Sequence, residues 1–190
     1  MDSKTKSLLQ NTAIEMFKQY GYDNVSVNQL CKACSVSKTT FYFHFQSKRD
    51  IIINFYYKAH KDAEEYLLGI LEGETTVEQL WNLVSPYVKL SFDAGVSVTR
   101  EVLKEFLFDK KAAILPDNVY LKKAMIQLLE RAQKTGEIQN MSEINTLSDV
   151  MIHTFNGVTF SWVMSDGAFD LLDKAERAFS CLLMPKHKIT

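Results

Sequence analysis

Residues 26–48 read SVNQLCKACSVSKTTFYFHFQSK, and the interpretation of the chain turns on this stretch. Ser26 is a good N-cap for a short helix over about Val27–Cys34, since its side-chain oxygen can accept from an unpaired first-turn N–H. Ser35-Val36-Ser37 makes a tight turn, with Ser37 placed to cap a second short helix at about Lys38–Phe45. Two short helices joined by a three-residue turn describe a helix-turn-helix. Val27, Leu30, Cys31, Val36, Phe41 and Phe45 are the apolar positions that lock such a unit together. Lys38 and Tyr42 are four apart and share one face, with Thr39 alongside. Lys and Thr near a helix start suit base edges and phosphates, and a Tyr hydroxyl can reach a phosphate. The same pattern is open to a small helical hairpin that only packs on the rest of the chain.

Outward from this stretch the signal stays helical. Leu9, Ala13, Met16, Phe17 and Tyr20 fall on one stripe of a first helix that ends before Gly21. Ser47 caps a fourth helix from about Lys48 to Leu71, with Asp50 as the acidic partner in its first turn. A fifth helix covers about Val77–Ala94, and Pro86 within it predicts a kink or break. A sixth covers Val98–Phe108. A loop follows from Asp109-Lys110-Lys111 through Leu115-Pro116. Asp117 caps a seventh helix that ends at Thr135-Gly136. Ser142 caps an eighth over about Glu143–Met164, and a ninth runs from Phe169 to Met184. No stretch alternates with period two over five residues. With only 7 Gly and 3 Pro in 190 residues, the chain favours long helices over a β-sandwich. The expected class is all-α with about nine helices: an N-terminal three-helix unit over 1–47 and a helical body over 48–190.

Residues 4–57 resemble the DNA-binding domain of the TetR family of bacterial transcriptional regulators. The residues that carry the resemblance are Phe17, Gly21-Tyr22, Ser26-Val27, Leu30 with small residues at 31 and 34, and Val36-Ser37. The densest run is Lys38-Thr39-Thr40-Phe41-Tyr42-Phe43-His44-Phe45, followed by Ser47-Lys48. The resemblance implies that the third helix reads a major groove of double-stranded DNA and that the lysine opening the fourth helix contacts phosphate. By position it implicates Ser26, Lys38, Thr39, Thr40, Tyr42, His44 and Lys48. Two positions depart from the family, which usually has Gly where Ser35 stands and often Gly where Thr39 stands. Ser35 is strained if the turn needs a positive φ, and Thr39 adds a side chain to the groove-facing surface. The family's architecture further implies a body that encloses an effector cavity and forms a dimeric four-helix bundle.

Charge distribution agrees with a two-part chain. Residues 1–50 carry seven Lys and Arg against four acids, net +3, while the remainder carries 15 against 19, net −4. An N-terminal unit attractive to polyanions joined to a mildly acidic body is the simplest reading. Composition, at 46% hydrophobic and 24% charged, is that of a soluble globular protein. No apolar run reaches the ~18 residues a membrane span needs. No secretory signal is visible at the start; the few, odd-numbered cysteines point to a reducing compartment, so the cytoplasm is expected.

The other chemistries find little footing. Three cysteines, at 31, 34 and 181, do not make a disulfide framework. Cys31-Lys32-Ala33-Cys34 is a lone C-x-x-C without two further ligands for zinc, so packing explains it better than metal or redox chemistry. Phosphate-loop, dinucleotide and nucleophile-elbow motifs are missing. No catalytic residue, metal or cofactor is therefore expected.

Two further sets come from pattern alone. Tyr56, His60, Trp81, Tyr87, Phe106, Tyr120 and Phe155 are the candidates for lining an effector pocket, although aromatic stripes at helical spacing are usually core. Gly157 and Ser161 are four apart and permit close approach of a second helix, while Phe169, Leu172 and Phe179 lie on the stripe of the ninth helix. These five are the candidates for a homodimer interface. The expected function is a DNA-binding transcriptional regulator, a ligand-responsive homodimeric repressor on a palindromic operator whose small-molecule effector is unidentified. The alternative is a helical interaction protein, antirepressor-like, that keeps the fold without reading DNA.

Overall fold

The computed structural model describes residues 2–66, 73, 75–108 and 119–186. Eight helices stand among them: α1 (Asp2–Tyr20), α2 (Val27–Ala33), α3 (Lys38–His44), α4 (Lys48–Tyr66), α5 (Thr76–Phe108), α6 (Val119–Thr135), α7 (Ile144–Met164) and α8 (Leu171–Leu183). The one extended pairing among the described residues is an isolated antiparallel bridge between Ile138 and Pro185. The all-α expectation holds. The loop expected at Asp109–Pro116 and the cap at Asp117 lie outside the described residues.

Eight helices replace the expected nine because the fifth and sixth are one element. Gly95 alone leaves the helical region inside α5, at φ 80° and ψ 162°. That conformation is open almost only to glycine. It divides α5 into two arms that match the two expected helices. Pro86 does not break the helix, contrary to expectation. The lost hydrogen bond is tolerated where Val84, Tyr87 and Val88 on either side are all buried.

Caps explain the remaining differences at helix ends. The α7 cap is Glu143, not Ser142: its carboxylate accepts from the Asn145 and Thr146 N–H groups at 2.9 and 2.7 Å. A carboxylate with two oxygens serves two first-turn donors and gains from the helix dipole. Those bonds pull the Glu143 pKa down to about 2. Asp170 caps α8 in the same way, so Phe169 precedes the helix instead of opening it. Met184 ends α8 in the left-handed region, at φ 48°. The start of α4 is as expected, with Ser47 Oγ accepting from Asp50 N–H at 3.2 Å.

Two apolar clusters form the core. One is built from α1–α3 with Ile51, Ile52 and Tyr56 of α4 and with Ala94, Val98 and Val102 of α5. Each fully buried Leu, Ile or Phe there contributes roughly 1.5–3 kcal/mol. The second packs the first arm of α5 against α6, α7 and α8. The N-terminal core thus extends past residue 47 into α4 and α5. Glu137 ties the body together: its carboxylate accepts from Thr76 N–H at 2.7 Å, Val77 N–H at 3.2 Å and the Thr76 hydroxyl at 2.6 Å. It thereby caps α5 from 61 residues away.

Candidate nucleic-acid interface

The expected helix-turn-helix is assembled by reciprocal caps. Ser26 Oγ accepts from Gln29 N–H at 3.2 Å, and Gln29 Oε1 accepts from Ser26 N–H at 2.7 Å. This capping box satisfies two donors of α2 at once. Ser35 sits at φ 54°, so the turn does require the left-handed backbone that a side chain disfavours. Val36 N–H then donates to Cys31 C=O at 2.9 Å and closes the turn. Ser37 Oγ accepts from Thr40 N–H at 3.0 Å and starts α3. Cys31 and Cys34 are both buried in this apolar cluster, as packing requires. No group of three or more potential metal ligands lies among the described residues.

Helix α3 turns one ring inward and most of its polar groups outward. Phe41 is fully buried, and so is Phe45, which follows the helix. Lys38, Thr39 and Tyr42 are exposed, while Thr40 and His44 are half-buried. Thr40 is less available than expected, because its hydroxyl lies 2.9 Å from Ser37 Oγ in a local hydrogen bond. The Tyr42 ring leans edge-on against Phe41 at 5.3 Å between centroids.

Lys48 occupies an unforeseen setting. Its ammonium donates to Tyr22 C=O at 2.7 Å and to Val25 C=O at 2.6 Å, and it lies 4.2 Å from the Tyr22 ring centre. Two of its three donors therefore clamp the loop between α1 and α2. Burial pushes its pKa down against the pull of Asp23 and Glu101. Val25 adjoins Ser26, so the clamp holds Lys48 beside the start of α2. The same loop is tied to the body, since Tyr22 N–H donates to Ser97 Oγ at 2.8 Å. Arg49 at the start of α4 pairs with Glu105 on the second arm of α5. None of these long-range ties has a local sequence signal; helical periodicity cannot say which loop a lysine reaches.

The candidates for effector and dimer surfaces are rearranged by the fold. Trp81, Phe155 and Phe179 form one aromatic cluster, with centroids 6.3 Å (Trp81–Phe155), 5.3 Å (Trp81–Phe179) and 6.4 Å (Phe155–Phe179) apart. Phe179 is thus in the core of its own subunit, with no exposed surface, and not on a face open to a second copy. Phe169 and Leu172 are partly buried against the same core. Gly157 and Ser161 are exposed on α7, and a Cβ added at Gly157 would meet nothing within 4 Å. Tyr56 is buried where α4 meets α5, and burial together with neighbouring Tyr87 pushes its phenol pKa strongly up. The side chains of His60, Phe106 and Tyr120 lie outside the described residues.

The model for bacterial regulatory proteins of the tetR family matches residues 9–54. That stretch is of the TetR family. Along its whole length this regulator is 24% identical over 202 residues to the probable acrEF/envCD operon repressor of Escherichia coli K12, covering 98% of this chain and 90% of that one. Its fold matches the transcriptional regulator FadR of Bacillus subtilis, solved with stearoyl-CoA, at a TM-score of 0.56 and 21% identity over 95% of this chain and 99% of that one. It also matches Thermus thermophilus FadR, solved with lauroyl-CoA, at a TM-score of 0.57 and 16% identity over 93% and 92% of the two chains. The regulator is a DNA-binding protein of transcription, and no helix among its described residues is long and apolar enough to cross a membrane.

Proposed function

We propose that this regulator is a ligand-responsive homodimeric repressor that binds a palindromic operator. The observation that carries the reading is the outward face of α3, with Lys38, Thr39 and Tyr42 exposed while Phe41 is buried. A short helix held so by its neighbours can enter a major groove and present side chains to base edges. We assign DNA contact to Ser26, Lys38, Thr39, Thr40, Tyr42, His44 and Lys48. Lys48 keeps one donor for phosphate beyond its loop clamp. The DNA-reading unit spans 1–47 and the regulatory body 48–190. The protein acts in the cytoplasm, beside the bacterial DNA, and we assign it no enzymatic activity.

Dimerisation is supported by α7. Val150, Phe160 and Met164 are 41%, 49% and 69% exposed, and at about 100° per residue they fall on the same side of the helix as Gly157 and Ser161. An apolar helix face of this kind is a common mark of association. A dimer doubles the base pairs read and sets two recognition helices about 34 Å apart, one turn of the duplex. The effector site is assigned to the aromatic region around Tyr56, Trp81, Tyr87 and Phe155, which suits an amphipathic molecule with a long apolar part, as the acyl-CoA complexes of the two structural relatives exemplify.

Repression is released by a shift between two arrangements of the recognition helices. An effector acts by its difference in affinity for the two. The Tyr22–Ser97 hydrogen bond and the Arg49–Glu105 pair are the contacts through which a movement of α5 reaches the DNA-reading unit. Selection of duplexes from a random pool tests the proposal. A recovered palindrome is the expected result, with binding lost on Lys38→Ala and Tyr42→Ala. A folded dimer that enriches no duplex, at any salt concentration, overturns it in favour of a helical interaction protein.

A further inference from the structure

Helix α3 carries an exposed aromatic ring that the assignments above leave unused. Phe43 is 70% exposed, more than any other large hydrophobic residue among the described residues. It sits on α3, two residues after buried Phe41 and thus about 200° around the helix from it. Thr39, four residues before Phe43, points to the same outermost side. Phe43 meets the His44 ring edge-on at 5.1 Å between centroids and otherwise faces solvent. Lys38, exposed on the same helix, favours a polyanionic partner. A ring placed in water on a helix that also carries positive charge implies an apolar group on a polyanion.

The major groove offers one such group, the 5-methyl of thymine, and apolar contact from Phe or a Thr methyl is a recurrent way to read it. We propose that Phe43 is a specificity-determining residue that reads a thymine methyl in each half-site, with the Thr39 methyl beside it. The inference rests on the reading of α3 as the recognition helix. It adds base discrimination to the phosphate and polar contacts assigned there.

The test uses the full chain and the duplex recovered by selection. Thymines are replaced one at a time by deoxyuridine, which keeps the hydrogen-bonding edge and removes only the methyl. With the wild-type protein, one thymine per half-site shows about fourfold weaker binding on replacement, the worth of one buried methyl-sized group. Phe43→Ala abolishes that sensitivity at the same thymine while its thermal unfolding is unchanged, and Phe43→Leu retains part of it. If Phe43→Ala binds too weakly to measure, lower salt restores binding through the phosphate contacts, and the comparison is made there. An equal penalty in wild type and Phe43→Ala overturns the assignment, as does a bound duplex in which no thymine is sensitive. A wild-type protein that selects no duplex at all instead defeats the recognition-helix reading on which this rests.

Discussion

Removal of the Lys48 ammonium should destabilise the N-terminal unit before it affects any phosphate. Lys48→Met keeps the aliphatic stem and deletes two charge-assisted hydrogen bonds, at 2.7 Å to Tyr22 C=O and 2.6 Å to Val25 C=O. Bonds to a charged group are worth about 1.5–3 kcal/mol each. Lys48 is half-buried, so water replaces part of that loss and about 2–3 kcal/mol remains. The contact with the Tyr22 ring adds about 0.5 kcal/mol. Urea unfolding of the full chain at fixed protein concentration is the assay. With a slope of about 2.5 kcal/mol per M, the midpoint falls by about 1 M and the slope itself stays constant. Duplex affinity falls as well, because the loop that places Ser26 loosens. A stability loss below about 0.5 kcal/mol, with the salt slope reduced by about 0.9, would refute the clamp and leave Lys48 a phosphate contact alone.

Two further outcomes follow from the backbone and from titration. Ser35→Gly removes the cost of a side chain at φ 54°; after the larger chain entropy of Gly is subtracted, a gain of about 0.5–1 kcal/mol is expected, seen as a rise of a few degrees in the unfolding temperature. Glu137 has a depressed pKa: burial opposes the shift, and the bonds from Thr76, Thr135 and Val77 outweigh it. A carboxylate depressed in the folded state stabilises above its unfolded pKa, about 4.3, and loses that contribution as pH falls through the folded value. Glu137→Gln should therefore be less stable than wild type at pH 7, with the gap closing below about pH 4 in paired thermal melts; a gap independent of pH would contradict the assignment.

The N-terminal unit was legible because its signals are local. Caps at Ser26, Ser37 and Ser47 act over three residues, and the inward stripe of Phe41 and Phe45 follows from helical spacing. The strain at Ser35 was visible as a departure from the expected glycine. Phe43 lies four residues after Thr39 on the outward side of the same short helix, but an apolar ring there carries no local signal that separates it from core. The assignment of Phe179 to a dimer face failed for a different reason. A buried stripe states that one side of a helix is covered but does not name what covers it.

Local chain chemistry, then, determined the all-helical class, the helix-turn-helix and the family resemblance, since hydrophobic period and capping depend on neighbours within a turn or two. Only the tertiary structure decided what Lys48, Ser97, Arg49 and Glu137 do, because their partners are 23 to 75 residues away. It also decided that α5 passes Pro86 and breaks at Gly95. Packing on both sides of Pro86 offsets one missing hydrogen bond, whereas a backbone at φ 80° and ψ 162° interrupts the helix however well its neighbours pack.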